Sequence, residues 1–149
     1  MKIKYLLLLM FALAIVACND SKKVKLNTSE TKEISLLDTL QLKLNQGNKW
    51  LVNPETQGGV EKMNTIIKAF KADNNKDYNA LGKKLAKQTS YIIKNCNMVG
   101  EPHDQLHVVL VPMLDEISTL KEAENNTEAE AALTRLEDLI KDYFVHFKL

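Results

Sequence analysis

Residues 102–120 read PHDQLHVVLVPMLDEISTL, and the fold turns on whether this stretch is a helix or a strand. Its centre, His107-Val108-Val109-Leu110-Val111-Pro112, is β-branched and stops at a proline, which suits a strand. Inside a helix Pro112 removes one backbone hydrogen bond and costs about 3 kcal/mol. Against this, His103, Leu106, Leu110, Met113, Ile117 and Leu120 recur three and four residues apart, and the rhythm runs through Pro112 in phase. A lone strand here would also have no evident partner. The spacing therefore predicts a helix that begins at Pro102 and kinks at Pro112.

Three other stretches carry the same period. The first has Asn53 as N-cap and Pro54 at the first helical position, with Val60, Met63, Ile67 and Phe70 on one face. Gly58-Gly59 weaken its opening turn, so regular helix is expected from about Val60. The second runs from about Lys76 to Met98 with Tyr78, Leu81, Leu85, Ile92 and Cys96 on one side, and Gly100 supplies its C′ residue. The last opens on Thr127-Glu128-Ala129-Glu130, read as a capping box, and carries Ala129, Leu133, Leu136, Ile140, Tyr143 and Phe147. Four such segments with short connections predict an all-α, up-down four-helix bundle over residues 54–149. Residues 34–53 form an irregular or mixed lead-in. Leu36, Leu37, Leu40 and Leu44 suit a helix, Leu40, Leu42 and Leu44 alternate like a strand, and Gly47-Asn48 turns the chain.

The chain opens with a short basic segment, Met1-Lys2-Ile3-Lys4, followed by an apolar run from Tyr5 to Ala17. That run is short for a membrane span and ends in small residues, the pattern of an export signal over residues 1–17. Ile15-Val16-Ala17-Cys18 resembles the lipobox of bacterial lipoproteins. The resemblance implies cleavage before Cys18, a diacylglyceryl thioether on its sulfur and an acylated amino terminus. Two or three acyl chains anchor firmly, each buried methylene contributing roughly 0.8 kcal/mol. Residues 18–33 are polar and aperiodic and read as a lipidated flexible tether. Asn19 after the cysteine does not match the aspartate that marks inner-membrane retention in such proteins. The resemblance thus favours the outer membrane, facing the periplasm.

The formal net charge is +1, and of twenty Lys and Arg residues only Arg135 is arginine. No basic patch interleaved with aromatics is present, which argues against nucleic acid as a partner.

Chemistry-bearing residues gather near one corner. In an up-down bundle the start of the first helix, the end of the second, the start of the third and the end of the fourth share a pole, which collects Cys96, Met98, His103, His107 and His146. His103 and His107, one turn apart, can bind one ion, and a thiolate with imidazoles suits Zn²⁺ or Cu⁺. The candidate metal set is Cys96, His103 and His107, with His146 or Met98 as fourth ligand, in a carrier rather than a catalyst. Two alternatives stand beside it. One is a structural or partner-interaction lipoprotein with no metal, in which Cys96 and the histidines merely finish the core. The other is a zinc hydrolase using His103 and His107. Its motif, His103-Asp104-Gln105-Leu106-His107, has HExxH spacing, with Asp104 where a glutamate base belongs and no recognisable third ligand.

Overall fold

The computed structural model describes residues 41–149. The expected signal, Cys18, the tether and the first part of the lead-in lie outside the described residues.

Apolar periodicity decides the main elements. Among the described residues four helices form: α1 (Pro54–Ala72), α2 (Tyr78–Asn95), α3 (Glu101–Glu122) and α4 (Asn126–His146). The stripes expected from the spacing supply most of the core, with Val60, Met63, Ile67, Leu81, Leu85, Ile92, Leu106, Met113, Ile117, Leu136 and Tyr143 almost wholly buried. Phe70, Tyr78 and Cys96 are partly buried at its margin. The disputed stretch is helical throughout, and α3 continues past Pro112. Seven buried positions along α3, from Gln105 to Leu120, outweigh the one hydrogen bond that proline forfeits.

Helix ends differ from expectation in several places. Gly58 and Gly59 do not delay α1, which begins at Pro54. Gly100 is not the C′ residue of α2. With φ +67° it opens α3, and its carbonyl accepts from the backbone N–H of His103 at 2.9 Å and of Asp104 at 3.1 Å. The box at Thr127 is not used either, because Asn125 caps α4 two residues earlier, its side chain accepting from Glu128 N at 2.9 Å.

Two short strands add to the helices. β1 (Trp50–Leu51), at the end of the lead-in, pairs in parallel with β2 (Phe147–Lys148), directly after α4, in the register Trp50 with Phe147 and Leu51 with Lys148. Phe147, expected to continue the last helix, is therefore in a strand. It stays buried and stacks on Tyr143 with ring centroids 5.1 Å apart. Before β1 the lead-in makes a tight turn at Gln46 and Gly47, closed by reciprocal backbone bonds between Asn45 and Asn48.

The contacts at the two ends of the molecule fix how the helices lie. At one end Asn53 Nδ2, just before α1, donates to Asn95 O at the end of α2 (3.0 Å), and β1–β2 joins the start of α1 to the end of α4. At the other, Asn79 Nδ2 at the start of α2 donates to Lys121 O at the end of α3, and Tyr78 OH reaches Glu130 of α4.

Candidate functional site

The end that gathers β1, β2, the start of α3 and the lead-in carries every residue singled out for metal chemistry. His103 lies in the first turn of α3 and His107 one turn on, both half-buried. Their rings come together, with centroids 4.3 Å apart and planes inclined at 55°. Cys96 is not on the inner face of a helix, because α2 ends at Asn95. Instead it is the C-cap residue, in extended backbone, with its N–H donating to Ile92 O at 2.8 Å. Its side chain and that of Met98 are half-buried and pack against the margin of the core. His146 closes α4 and stands 2.7 Å from Asp142 O through Nδ1. A carbonyl only accepts, so Nδ1 carries the proton and the imidazole serves to cap its own helix.

Of the five expected ligands, His103 and His107 are thus paired. Among the described residues no group of three or more His, Cys, Asp and Glu side chains is arranged to hold a metal ion. The reason is local: a thiol one residue beyond the end of α2 takes its direction from the linker, and His146 from the last carbonyls of α4.

The residue that organises this end is one the metal reading passed over. Gln105, between the two histidines, is 1% exposed. Its Oε1 accepts from Lys43 N at 2.8 Å and its Nε2 donates to Gln41 O at 3.3 Å. Trp50, the only tryptophan, is buried and donates through Nε1 to Lys43 O at 2.6 Å. One buried amide and one indole thereby clamp the chain where it reaches the bundle. A buried amide persists only when its polar atoms are paired, and here they are paired by backbone. The signal was present in the spacing: Gln105, Val109 and Met113 make a second inward stripe beside the one through Leu106.

Two further contacts tie the helices at this end. The Tyr143 hydroxyl donates to Gln57 Oε1 at 3.0 Å, and burial, with Glu61 as a smaller electrostatic contribution, pushes its pKa well above its ordinary value. Asn53 Oδ1 accepts from the Thr56 hydroxyl at 2.6 Å while its Nδ2 bridges Glu55 and Asn95.

The same end is where large apolar side chains meet solvent. Leu44, Leu51, Tyr91, Ile93, Val99, Val145 and Leu149 are exposed, whereas Val111 is the one exposed large apolar residue remote from it among the described residues. The opposite end is polar: its connections, Asp73-Asn74-Asn75-Lys76-Asp77 and Glu124-Asn125, are exposed and carry no large apolar residue. Compared with protein families, curated proteins and solved structures, the chain matches none.

Proposed function

We propose that this chain is a bacterial lipoprotein, acylated at Cys18 and carrying an up-down four-helix bundle on a tether over residues 18–33. The bundle is a structural and partner-interaction module of the cell envelope, held at the outer membrane and facing the periplasm. Ile15-Val16-Ala17-Cys18 supports the anchor. The observation that carries the interaction reading is the polarity of the bundle: among the described residues the end the chain enters exposes seven large apolar side chains, a contact surface for a component of the envelope, protein or membrane, and the other end none. Isolated apolar side chains at a surface are ordinary; their concentration at one end is a mark of a contact surface.

The test expresses the full chain in a bacterium and examines the mature amino terminus by mass spectrometry alongside membrane fractionation. Acylated Cys18 and a membrane-bound chain, released in Cys18→Ala, are the expected results. A mature terminus at any other residue overturns the anchor.

The His103–His107 pair favours a second reading, in which Zn²⁺ or Cu⁺ is bound at this end. Titration of the reduced protein against a competing chelator, with Cys96→Ala and His103→Ala, separates the two readings. Weak binding indifferent to both changes supports the interaction module. Tight one-to-one binding lost in both would make the protein a metal carrier. A hydrolase built on the same pair would need a third ligand, and we assign no reaction to it.

A further inference from the structure

We infer that the apolar rim at the tethered end docks onto the lipid bilayer, so that the bundle stands on the membrane with its polar end outward. This rests on the lipoprotein reading and adds to it an orientation and an occupant for the rim.

The chain arrives at the apolar end. Gln41 and Lys43 are bonded to Gln105 in the opening turns of α3, so the segment leading back to Cys18 leaves from the apolar end. A flexible coil over the expected tether, residues 18–33, would have a root-mean-square reach of roughly 22 Å. An anchor at Cys18 therefore keeps this end, rather than the opposite one, near the bilayer. Tethering at that range acts as an effective concentration on the order of millimolar, so a weak surface affinity suffices for docking.

The shape and composition of the rim fit lipid better than a protein groove. Val99 is 82% exposed at the tip of the α2–α3 connection, Leu149 is 66% exposed at the chain end, Leu51 is 64% exposed on β1, and Ile93 is 55% exposed in the last turn of α2. These are separate projections from different segments, and a deformable acyl–headgroup boundary can take each in independently. Lysines stand next to them: Lys94 follows Ile93, and Lys148 precedes Leu149. Such side chains lay their stems along apolar surface and keep the ammonium at the headgroups. Glu55, Glu101 and Asp104 occupy the same end, with Glu101 paired to Lys43 at 2.9 Å. The rim is thus close to charge-balanced, and its docking should depend little on anionic lipid.

The experiment uses the mature lipidated chain in phosphatidylcholine vesicles, with and without phosphatidylglycerol. Val99→Cys in a Cys96→Ser background carries a fluorophore, and Glu124→Cys in the same background reports the opposite end. Lipid-borne and aqueous quenchers are compared at each position. The expected result is several-fold stronger lipid quenching at position 99 than at 124, the reverse order for the aqueous quencher, and little change with phosphatidylglycerol. Ile93→Asp with Leu51→Asp should abolish the difference while the acyl chains still hold the protein to the vesicles. Equal accessibility of both labels in a vesicle-bound chain overturns the docking and leaves the lipoprotein reading standing. A label at 99 shielded from water yet untouched by the lipid quencher would mean that protein covers the rim, which also overturns it. An unacylated Cys18 would sink the anchor and this proposal together.

Discussion

Replacing each of three helical glycines by alanine should give opposite signs, because only the surroundings differ. In a helix interior the change gains about 0.8–1 kcal/mol from reduced unfolded-chain entropy and better propensity. At Gly58 nothing lies within 4 Å of where the new Cβ would be, so Gly58→Ala should keep nearly all of that gain. At Gly59 the Cβ would meet Ile92 Cγ1 and, at 2.8 Å, Cδ1. Ile92 is fully buried and stiff at its branched carbon, so overpacking of about 1–3 kcal/mol makes the substitution neutral to destabilising. At Gly82 the obstacle is backbone: Lys121 N at 2.9 Å and Ile117 O at 3.2 Å, with Lys121 Cγ at 2.8 Å. No rotamer relieves a clash with the α3 main chain, so the helices must separate. The penalty belongs at the top of the overpacking range, and the net loss should be about 2 kcal/mol. Urea unfolding of the four proteins, read at equal m, measures this directly. If Gly82→Ala were as stabilised as Gly58→Ala, α2 and α3 would not approach as closely as these distances require.

Gln105→Leu keeps a similar size but loses the bonds to Lys43 N and Gln41 O, whose residues are exposed and can turn to water, so two lost bonds should cost about 1–3 kcal/mol. It should also shift Trp50 emission to the red as the lead-in loosens; an unchanged spectrum and midpoint would show that the amide is not the clamp. Pro112→Ala should stabilise by about 1–3 kcal/mol by restoring an N–H within α3, which thermal unfolding would reveal. For Tyr143 the folded pKa lies above the unfolded value of 10.0. Its contribution is therefore complete below that pH and is lost as pH rises toward the raised value. Tyr143→Phe should lose about 1 kcal/mol at neutral pH with the hydroxyl's bond, yet its stability should fall less steeply than the parent's above that pH. Parallel slopes in alkaline urea titrations would refute this.

The helical stripes were legible because each repeats over several turns and buries side chains that cannot otherwise leave water. Even Pro112 could be placed in a helix, since the phase of Leu110, Met113 and Ile117 on either side of it agrees. Helix ends were less legible. Asn125 and Thr127 are both good caps, and the choice between them rests on one residue's backbone angles rather than on a repeated pattern. β1 and β2 are two residues each, too short for any period, and they meet only because the finished bundle brings Trp50 and Phe147 together. The corner shows the same division. That the histidines and Cys96 share one end followed from connectivity. Whether they converge depended on α2 stopping at Asn95, a boundary that periodicity does not locate to a single residue.

Both ends combine local bonds with bonds between helices, such as Asn79 Nδ2 to Lys121 O and Tyr78 OH to Glu130 at the polar end, but only one of them also holds the incoming chain. At the polar end the caps are local: Asp77 accepts from Ala80 N at 2.8 Å, Asn125 from Glu128 N, and Lys76 donates to the last carbonyls of α1. Each can form within one short segment. At the end where the lead-in arrives, further long-range bonds hold it: Gln105 to Gln41 and Lys43, β1 to β2, and Lys49 Nζ to Phe144 O at 2.6 Å. Each needs two segments distant in sequence to meet. A pull along the lead-in reaches Gln41 and Lys43 first, and Trp50 next, before it can act on α1. The buried amide and the indole thus stand in series between the lead-in and the core. A polar residue buried at this point is stabilised by the incoming chain, and in turn passes force on that chain to α3 before it reaches α1.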